Sequence, residues 1–203
     1  LYRIMGVFGD NNHGVKDQQL VKVIKNTSIG NIAWNTTASN DWANASLNTT
    51  LNSTFKTEKL SGFENKIEEV TWRVSGYSTS GATAKNVYTG EITNATKTHT
   101  AKIGLMYASD YGYATTPDYW AKNFPEYSTA AWNKDWLFLG SQEWLLSPYF
   151  SNSNYAWIVY SSGNVHDDGN VTNTNAVRPS FFLTSSVQYV SGSGTSTVPI
   201  RIN

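Results

Sequence analysis

The chain has no cysteine, so disulfide cross-links, thiolate metal ligands and cysteine nucleophiles are excluded. Charge is also scarce: Asp, Glu, Lys and Arg make up 15% of the 203 residues, and fifteen basic side chains balance fifteen acidic ones. A neutral chain without a basic stripe is not expected to bind nucleic acid or an anionic membrane surface. No apolar run is long enough to span a bilayer, so direct membrane insertion of this chain is not expected either.

Motifs that carry catalysis or bind phosphate are missing as well. There is no Gly-x-Ser-x-Gly turn and no glycine-rich phosphate loop before a helix. The three histidines, His13, His99 and His166, have no carboxylate or second histidine at ligand spacing. The neighbours Glu68 and Glu69 should point in different directions, which disfavours a glycosidase-type pair. The sequence therefore predicts no catalytic residue, no cofactor and no metal site.

Aromatic and small polar residues are plentiful. The chain has eight Trp, twelve Tyr and eight Phe, and it is rich in Asn, Ser, Thr and Gly. Most of the Trp side chains are expected in the core, and a minority of the Tyr side chains on the surface as contacts for a partner. A neutral, hydrogen-bonding surface of this kind is common in secreted binding proteins, so an extracellular location is expected.

Local patterns at the start of the chain predict a hairpin and a helix. Apolar alternation over residues 1–8 and a β-branched run over residues 19–25 predict two paired strands. Leu47, Leu51 and Phe55 recur every four residues, which predicts a helix with one apolar stripe. The opposite face of this helix carries Asn, Thr and Ser, so packing rather than helix propensity must stabilise it.

The rest of the chain predicts an α+β fold. A capping-box pattern precedes Phe63, Ile67 and Val70, which predicts a second helix with these residues on one face. The segment 75–100 has little hydrophobic periodicity and is expected to be a long insertion or weak hairpin. Short apolar runs separated by turn residues then predict a meander of strands. The expected architecture is a single domain over residues 1–203, with two main helices packed on short antiparallel strands and much irregular loop.

One polar segment, residues 151–176, is the candidate binding surface. It is rich in Asn, Ser and Tyr, the residues of adaptable binding surfaces, and it lacks Lys, Glu, Gln and Met. Trp157 is expected to be a buried spacer, because a strand alternates its faces and one position must anchor the segment. The run from Asp167 to Asn170 fits either a β-turn or one half of a Ca²⁺ loop. The candidate ligand contacts are Asn152, Asn154, Tyr155, Tyr160, Asn164, His166, Asp167, Asp168, Asn170, Asn173 and Asn175.

A set of short motifs runs through nearly the whole chain. They are YRIMGVF at 2–8, NDW at 40–42, KIGLMYASDYGYAT at 102–115, DWL at 135–137, EW at 143–144, SP at 147–148, VRP at 177–179 and SGSGT at 191–195. Together they resemble an uncharacterised, often multi-copy domain of gut Gram-positive bacteria, commonly attached to pilin-like or cell-wall-anchored proteins. The resemblance implies a cell-surface protein held by an anchoring segment outside this sequence, and a protein or glycan on another cell or surface as its ligand.

That family is in turn similar to the C-type-lectin-like fold of formylglycine-generating enzymes and of the variable proteins of diversity-generating retroelements. Those proteins have a Gly-Phe-Arg pattern in a core strand after the display surface, and Ala176, Val177 and Arg178 stand at that position. The resemblance implies that Arg178 is a structural residue beneath the surface. The reactive Cys pair of the enzymatic branch is absent, as is the Glu-Pro-Asn or Gln-Pro-Asp motif of Ca²⁺-dependent lectins.

The composition of residues 151–176 also fits diversification. Retroelement mutagenesis at adenines converts AAY codons for Asn into NNY codons, and every residue of the segment except Trp157 can be encoded by NNY. The expected function is therefore an extracellular ligand-binding or adhesion domain that is not an enzyme. Two alternatives remain open: an enzyme acting on cell-wall glycans, which needs two converging carboxylates, and a structural pilus or surface subunit, which needs large apolar interfaces.

Overall fold

The computed structural model describes residues 1–9, 13–15, 17–77, 81–127 and 134–203, and these residues form a mixed α+β structure dominated by strands. The strands are β1 Tyr2–Phe8, β2 Leu20–Lys25, β3 Asn31–Ala33, β4 Val70–Arg73, β5 Thr98–Ala101, β6 Ile103–Gly104, β7 Glu143–Pro148, β8 Tyr155–Val159, β9 Val165–Asn170, β10 Thr174–Ala176, β11 Ser180–Phe182, β12 Tyr189–Ser191 and β13 Arg201–Ile202.

Three helical stretches accompany the strands. The first stretch joins α1 (Ser46–Thr50), a π-helical turn (Leu51–Phe55) and α2 (Lys56–Lys59). The second joins α3 (Ala84–Tyr88) and a π-helical turn (Thr89–Thr93). The third is α4 (Ala108–Tyr113). Short 3₁₀ turns cover Trp42–Asn44, Glu64–Lys66, Pro117–Tyr119 and Phe124–Glu126. No helix in the described part of the chain has the length and apolar composition needed to cross a bilayer.

The first sheet contains the predicted hairpin. Its strand order is β1-β2-β11-β6, and all three pairings are antiparallel. Strand β1 lies at one edge of this sheet, whereas β2 is central and mostly buried. The predicted pairing of residues 1–8 with residues 19–25 is thus confirmed.

The second sheet has the order β3-β10-β7-β8-β9 and carries the candidate binding segment. Strand β10 pairs with β7 in parallel, and the other pairings are antiparallel. Strands β7 and β8 are buried on both faces, because Trp144 and Ile158 join one apolar cluster while Leu145 and Trp157 join another. Two small ribbons, β4-β5 and β12-β13, complete the strand pairings of the described residues.

Tryptophan forms much of this double core, as expected from the composition. Four of the buried indoles donate their Nε1–H to a backbone carbonyl about 3 Å away, which satisfies the polar end of a ring that is otherwise in apolar surroundings. Trp120 and Trp136 are exposed, and Trp132 lies outside the described residues. The fully buried tryptophans are Trp34, Trp42, Trp72, Trp144 and Trp157.

The first predicted helix is confirmed, and its apolar stripe faces the core. Leu47 and Leu51 are fully buried and Phe55 is nearly so. The helix begins after Ala45, which offers no side-chain cap. Its polar residues instead bond to carbonyls one turn back, as Thr50 does to Ser46, so packing of the stripe is its main support.

The second helix was predicted in the wrong place. Only a single 3₁₀ turn, Glu64–Lys66, forms near the capping-box pattern, and Val70 begins strand β4. Ile67 bridges to Leu183 instead of continuing a helix. Pairing with distant strands has overridden the local helical pattern.

The second helix of the structure lies in the segment 75–100, which was expected to be an insertion or weak hairpin. Thr83 caps α3 by accepting the N–H of Asn86, and Val87 and Ile92 are buried in the two apolar clusters. The segment ends in β5, which pairs with β4. The described part of 75–100 therefore contributes to the core.

Candidate ligand surface

The candidate segment folds into the outer part of the second sheet. Strand β8 and edge strand β9 form a hairpin in which Tyr155 pairs with Asn170 and Val159 pairs with Val165. The turn before β8 and the turn after β9 therefore lie at one end of the hairpin, while the β8–β9 turn lies at the other. A strand advances about 3.3 Å per residue, so the two ends are separated by roughly 17–20 Å.

The first end is built from two turns with fixed backbones and exposed side chains. The Asn152 carboxamide oxygen accepts the N–H of Asn154, and the N–H of Val171 donates to the Asn154 carbonyl, which ties the two turns together. Asn40 anchors the turn from a distant loop, because its Nδ2 donates to the carbonyls of Tyr149, Asn152 and Tyr155 at 2.7–3.1 Å. Asn152, Asn154 and Asn173 remain exposed at this end, and Tyr155 is half-buried.

The second end is a hydrogen-bonded polar cluster. The Tyr160 hydroxyl donates to Asp168 Oδ1 at 2.9 Å, and the Tyr160 ring packs edge-on against His166 with centroids 5.3 Å apart. Asn164 Nδ2 lies 3.1 Å from His166 Nε2, and Ser162 hydrogen-bonds to Asn164. Partial burial and the hydrogen bond to Asp168 raise the pKa of Tyr160 to about 12. Tyr160 is therefore a protonated donor at neutral pH.

Strand β9 links the two ends. His166, Asp168 and Asn170 lie along it, and each is at least partly exposed. The pairing of β9 with β8 is irregular between His166 and Gly169, so these three side chains do not all share one face. Asn170 Oδ1 accepts from the backbone and hydroxyl of Thr172, which fixes the turn that follows. We call this line of three side chains, with the two end clusters, the β9 stripe: Asn152, Asn154, Tyr155, Tyr160, Asn164, His166, Asp168, Asn170 and Asn173.

Two of the predicted ligand contacts are buried in this structure. Asp167 faces inward from β9 and is 7% exposed, and Asn175 on β10 is 8% exposed. Neither side chain can reach a ligand in the way the exposed members of the segment can. Residues 167–170 lie within strand β9, so they form neither the β-turn nor the half Ca²⁺ loop that their sequence fits.

The predicted structural residues lie beneath the stripe. Trp157 is fully buried, donates to the Tyr77 carbonyl at 3.0 Å and packs edge-on against Phe124. Gly169 is a further scaffold position within the segment, since a Cβ there would lie 2.5 Å from Trp144 Cζ3. The need for glycine comes from this close approach between β9 and a tryptophan on β7, which no local pattern indicates.

Arg178 is buried and paired with Glu143, which the sequence did not identify as its partner. Arg178 Nε and Nη2 donate to the two carboxylate oxygens of Glu143 at 2.6 and 2.7 Å, and Nη2 also donates to the Leu137 carbonyl. Burial raises the pKa of Glu143, and the Arg178 charge opposes this shift. Both side chains are 1% exposed, so the pair fixes the chain just after β10 onto the start of β7. The sequence does carry a signal for this partner, because Glu143 is the single charged residue at the start of the apolar run 144–146.

Two cavities lie away from the stripe, and each is lined by one carboxylate among the described residues. A cavity of about 150 Å³ contacts Asp110 together with aromatic side chains that include Tyr113 and Trp136. One of about 220 Å³ contacts Glu69 and His99, with Asn and Lys side chains around them. Within the described ranges, no three His, Asp or Glu side chains are arranged to hold a metal ion. Neither cavity offers the two carboxylates of a glycosidase.

A family model for a domain of unknown function, DUF6273, matches residues 17–185. The match covers the central strands of both sheets, the three helical stretches and the whole β9 stripe. No curated protein and no solved structure shows significant similarity to the chain. Because the match spans well over half of the 203 residues, the chain belongs to the DUF6273 family.

Proposed function

We propose that this DUF6273 domain is a non-catalytic, extracellular binding domain that presents the β9 stripe to a protein or glycan. One observation carries the proposal: nine polar or aromatic side chains are accessible on a backbone fixed by buried groups beneath them. Asn and Tyr side chains provide adaptable hydrogen bonds and rigid contact area. A fixed backbone reduces the ordering cost of association. The stripe therefore has the properties of a preorganised polar binding surface.

A C-type-lectin-like fold is part of the same proposal. Its support is the α+β class, the long helical stretch beside short and mostly antiparallel strands, and the irregular connections between them. The position of Arg178 adds support, since this buried arginine directly follows the surface segment, as the resemblance implies.

Diversification of the stripe by a retroelement is a further part of the proposal. Its support is that, apart from Trp157, the residues of the segment can all be encoded by NNY codons. Sequencing the genomic neighbourhood tests this part. A near-identical template copy of the segment beside a reverse transcriptase gene is expected, and a neighbourhood without one contradicts diversification but leaves the binding surface unaffected.

Binding is tested with the purified domain on an array of glycans and immobilised mucin glycoproteins. A stripe variant, Asn154→Ala/His166→Ala/Asn173→Ala, removes two accessible side chains from the first end of the stripe and one from the second end. A control variant, Thr57→Ala/Asn94→Ala/Gln188→Ala, removes exposed polar side chains outside it. The wild type and the control are expected to bind the same array members, and the stripe variant is expected to lose them. Equal binding by all three proteins contradicts the proposal.

A structural surface subunit is the second candidate, and strand β1 favours it. This edge strand exposes Ile4 and Val7 at 52% and 63%, next to Leu1 at 58%. An exposed apolar edge strand is a template for pairing with another chain. Ile4→Lys/Val7→Lys separates the two functions: if self-association measured by light scattering depends on β1, this variant abolishes it, whereas binding through the stripe is unaffected.

A further inference from the structure

Lys22 is a buried lysine surrounded by aromatic rings. It lies in the middle of β2, between Leu20 and Ile24 on the same face, and it is completely buried. Buried lysines are rare because removing an ammonium from water is costly. Its Nζ lies 4.6–5.6 Å from the centroids of four aromatic rings, which belong to Phe8, Trp72, Tyr107 and Phe182.

Asp110 is the counter-charge of this lysine. It lies in the first turn of α4, its side chain is 5% exposed, and its Oδ2 is 2.5 Å from Lys22 Nζ. The same oxygen accepts the backbone N–H of Tyr107 at 2.8 Å. An ammonium has three protons to donate, and within the described residues Asp110 is its one hydrogen-bond acceptor. The rings around it provide cation–π attraction only.

A second buried carboxyl, Glu91, does not compete for the lysine. Its two oxygens accept the Ser109 N–H and the Ser147 hydroxyl. Burial raises the pKa of Glu91 to about 7, and the negative charge of Asp110 contributes to the same shift. Because both Glu91 oxygens are engaged by serine groups, Lys22 and Asp110 face each other as a pair among aromatic rings.

We propose that Lys22 Nζ and Asp110 Cγ join in an intramolecular isopeptide bond. In the first step a proton passes from Nζ to Asp110 Oδ2, which lies 2.5 Å away, and leaves a neutral amine beside a carboxylic acid. The nitrogen lone pair then attacks Cγ and forms the C–N bond. The π electrons of the carbonyl move to its oxygen, Oδ1, while the Tyr107 N–H, which donates to Oδ2, holds the carboxyl in place.

The intermediate collapses by losing water. A second proton leaves the nitrogen for the hydroxyl oxygen on Cγ, the C–O bond breaks, and the oxygen departs as water while the carbonyl re-forms. One ammonium and one carboxylate thus give one amide and one water, and no oxidant or other reactant is consumed. The cavity of about 150 Å³ that Asp110 lines has room for the released molecule, which needs roughly 30 Å³. The product replaces two buried charges with a neutral amide that joins β2 to α4.

Intact-mass spectrometry of the denatured wild-type protein tests the bond. The expected mass is that of the sequence minus one water, and a tryptic digest should yield a branched peptide joining Lys22 to Asp110, without cleavage after Lys22. Lys22→Arg keeps a positive charge at this position but has no amine that can form the link, so its mass should equal that of its sequence. Lys25→Arg, on the same strand, should keep the water loss.

Two results overturn the proposal. One is a wild-type mass equal to that of the full sequence, with cleavage after Lys22. The other is a water loss that fragment spectra place elsewhere in the chain or that persists in Lys22→Arg. Circular dichroism establishes that Lys22→Arg is folded, and Asp110→Ala provides a second variant whose mass must also equal that of its sequence.

Discussion

Replacing Arg178 with methionine should destabilise the domain strongly while leaving the stripe residues unchanged. Arg178 makes two hydrogen bonds to Glu143 and one to Leu137, all of them buried. Removing one partner of a buried ion pair leaves an unpaired charge and costs about 3–5 kcal/mol. With a urea m-value of about 2–3 kcal/mol/M, the midpoint of unfolding should fall by about 1–2.5 M. Urea unfolding followed by the fluorescence of the buried tryptophans measures this midpoint.

The pH dependence of the same variant tests the cause of the loss. Burial already raises the pKa of Glu143, and removing the Arg178 charge removes the effect that opposes it. The carboxyl of the variant should therefore take up a proton on acidification, so the loss should be smaller at about pH 5 than at about pH 8. The double variant Arg178→Met/Glu143→Leu should recover part of the stability, because no charge is left unpaired. A midpoint for Arg178→Met within about 0.3 M of wild type would refute this reasoning.

Three other perturbations follow from the packing and the titrating groups. Gly169→Ala should cost about 1–3 kcal/mol in urea unfolding, because the added Cβ meets Trp144; an unchanged midpoint contradicts this close approach. Trp157→Ala should cost about 3–5 kcal/mol, whereas Asn154→Ala should stay within about 0.5 kcal/mol; similar losses would contradict the division into scaffold and surface. Burial raises the pKa of Glu91 to about 7 in the folded state, so the folded state binds this proton more tightly than the unfolded chain does. The stability that this proton adds to the fold is present below about pH 4 and is lost as the pH rises to about 7. Glu91→Gln should flatten the fall in melting temperature over that range, and parallel curves for the two proteins contradict it.

Elements that depend on local pattern could be predicted from the sequence. The β1–β2 hairpin and the stripe of Leu47, Leu51 and Phe55 follow from periodicities that tertiary packing reinforces. The helix predicted around Phe63 failed because Val70 pairs with Ala101 in the β4–β5 ribbon. Such long-range pairing is invisible in a local window.

Helix α3 could have been predicted from the sequence. Ala84, Val87 and Ile92 lie on one side of a helix, and Thr83 is a favoured cap residue. The Gly, Ser, Thr and Lys content of the segment conceals this sparse stripe. A sparse stripe is sufficient where the second side of the core is small and built partly of alanine.

The sequence predicts which segment forms the candidate surface, but not which of its side chains are exposed. Its composition indicates which residues are polar, whereas the strand register decides that Asp167 turns inward and Asp168 outward. The partners that hold the segment, Asn40 and Glu143, come from parts of the chain far away in sequence. No local signal connects them to it.

The affinity of the β9 stripe for a ligand found on the array tests the account most directly. Biolayer interferometry gives the Kd of the wild type, the stripe variant and the control variant for the same immobilised glycan or mucin. We expect the stripe variant to bind at least about tenfold more weakly, a loss of about 1.4 kcal/mol, and the control to match the wild type. Equal Kd values for the wild type and the stripe variant would show that the ligand binds elsewhere and would contradict the account.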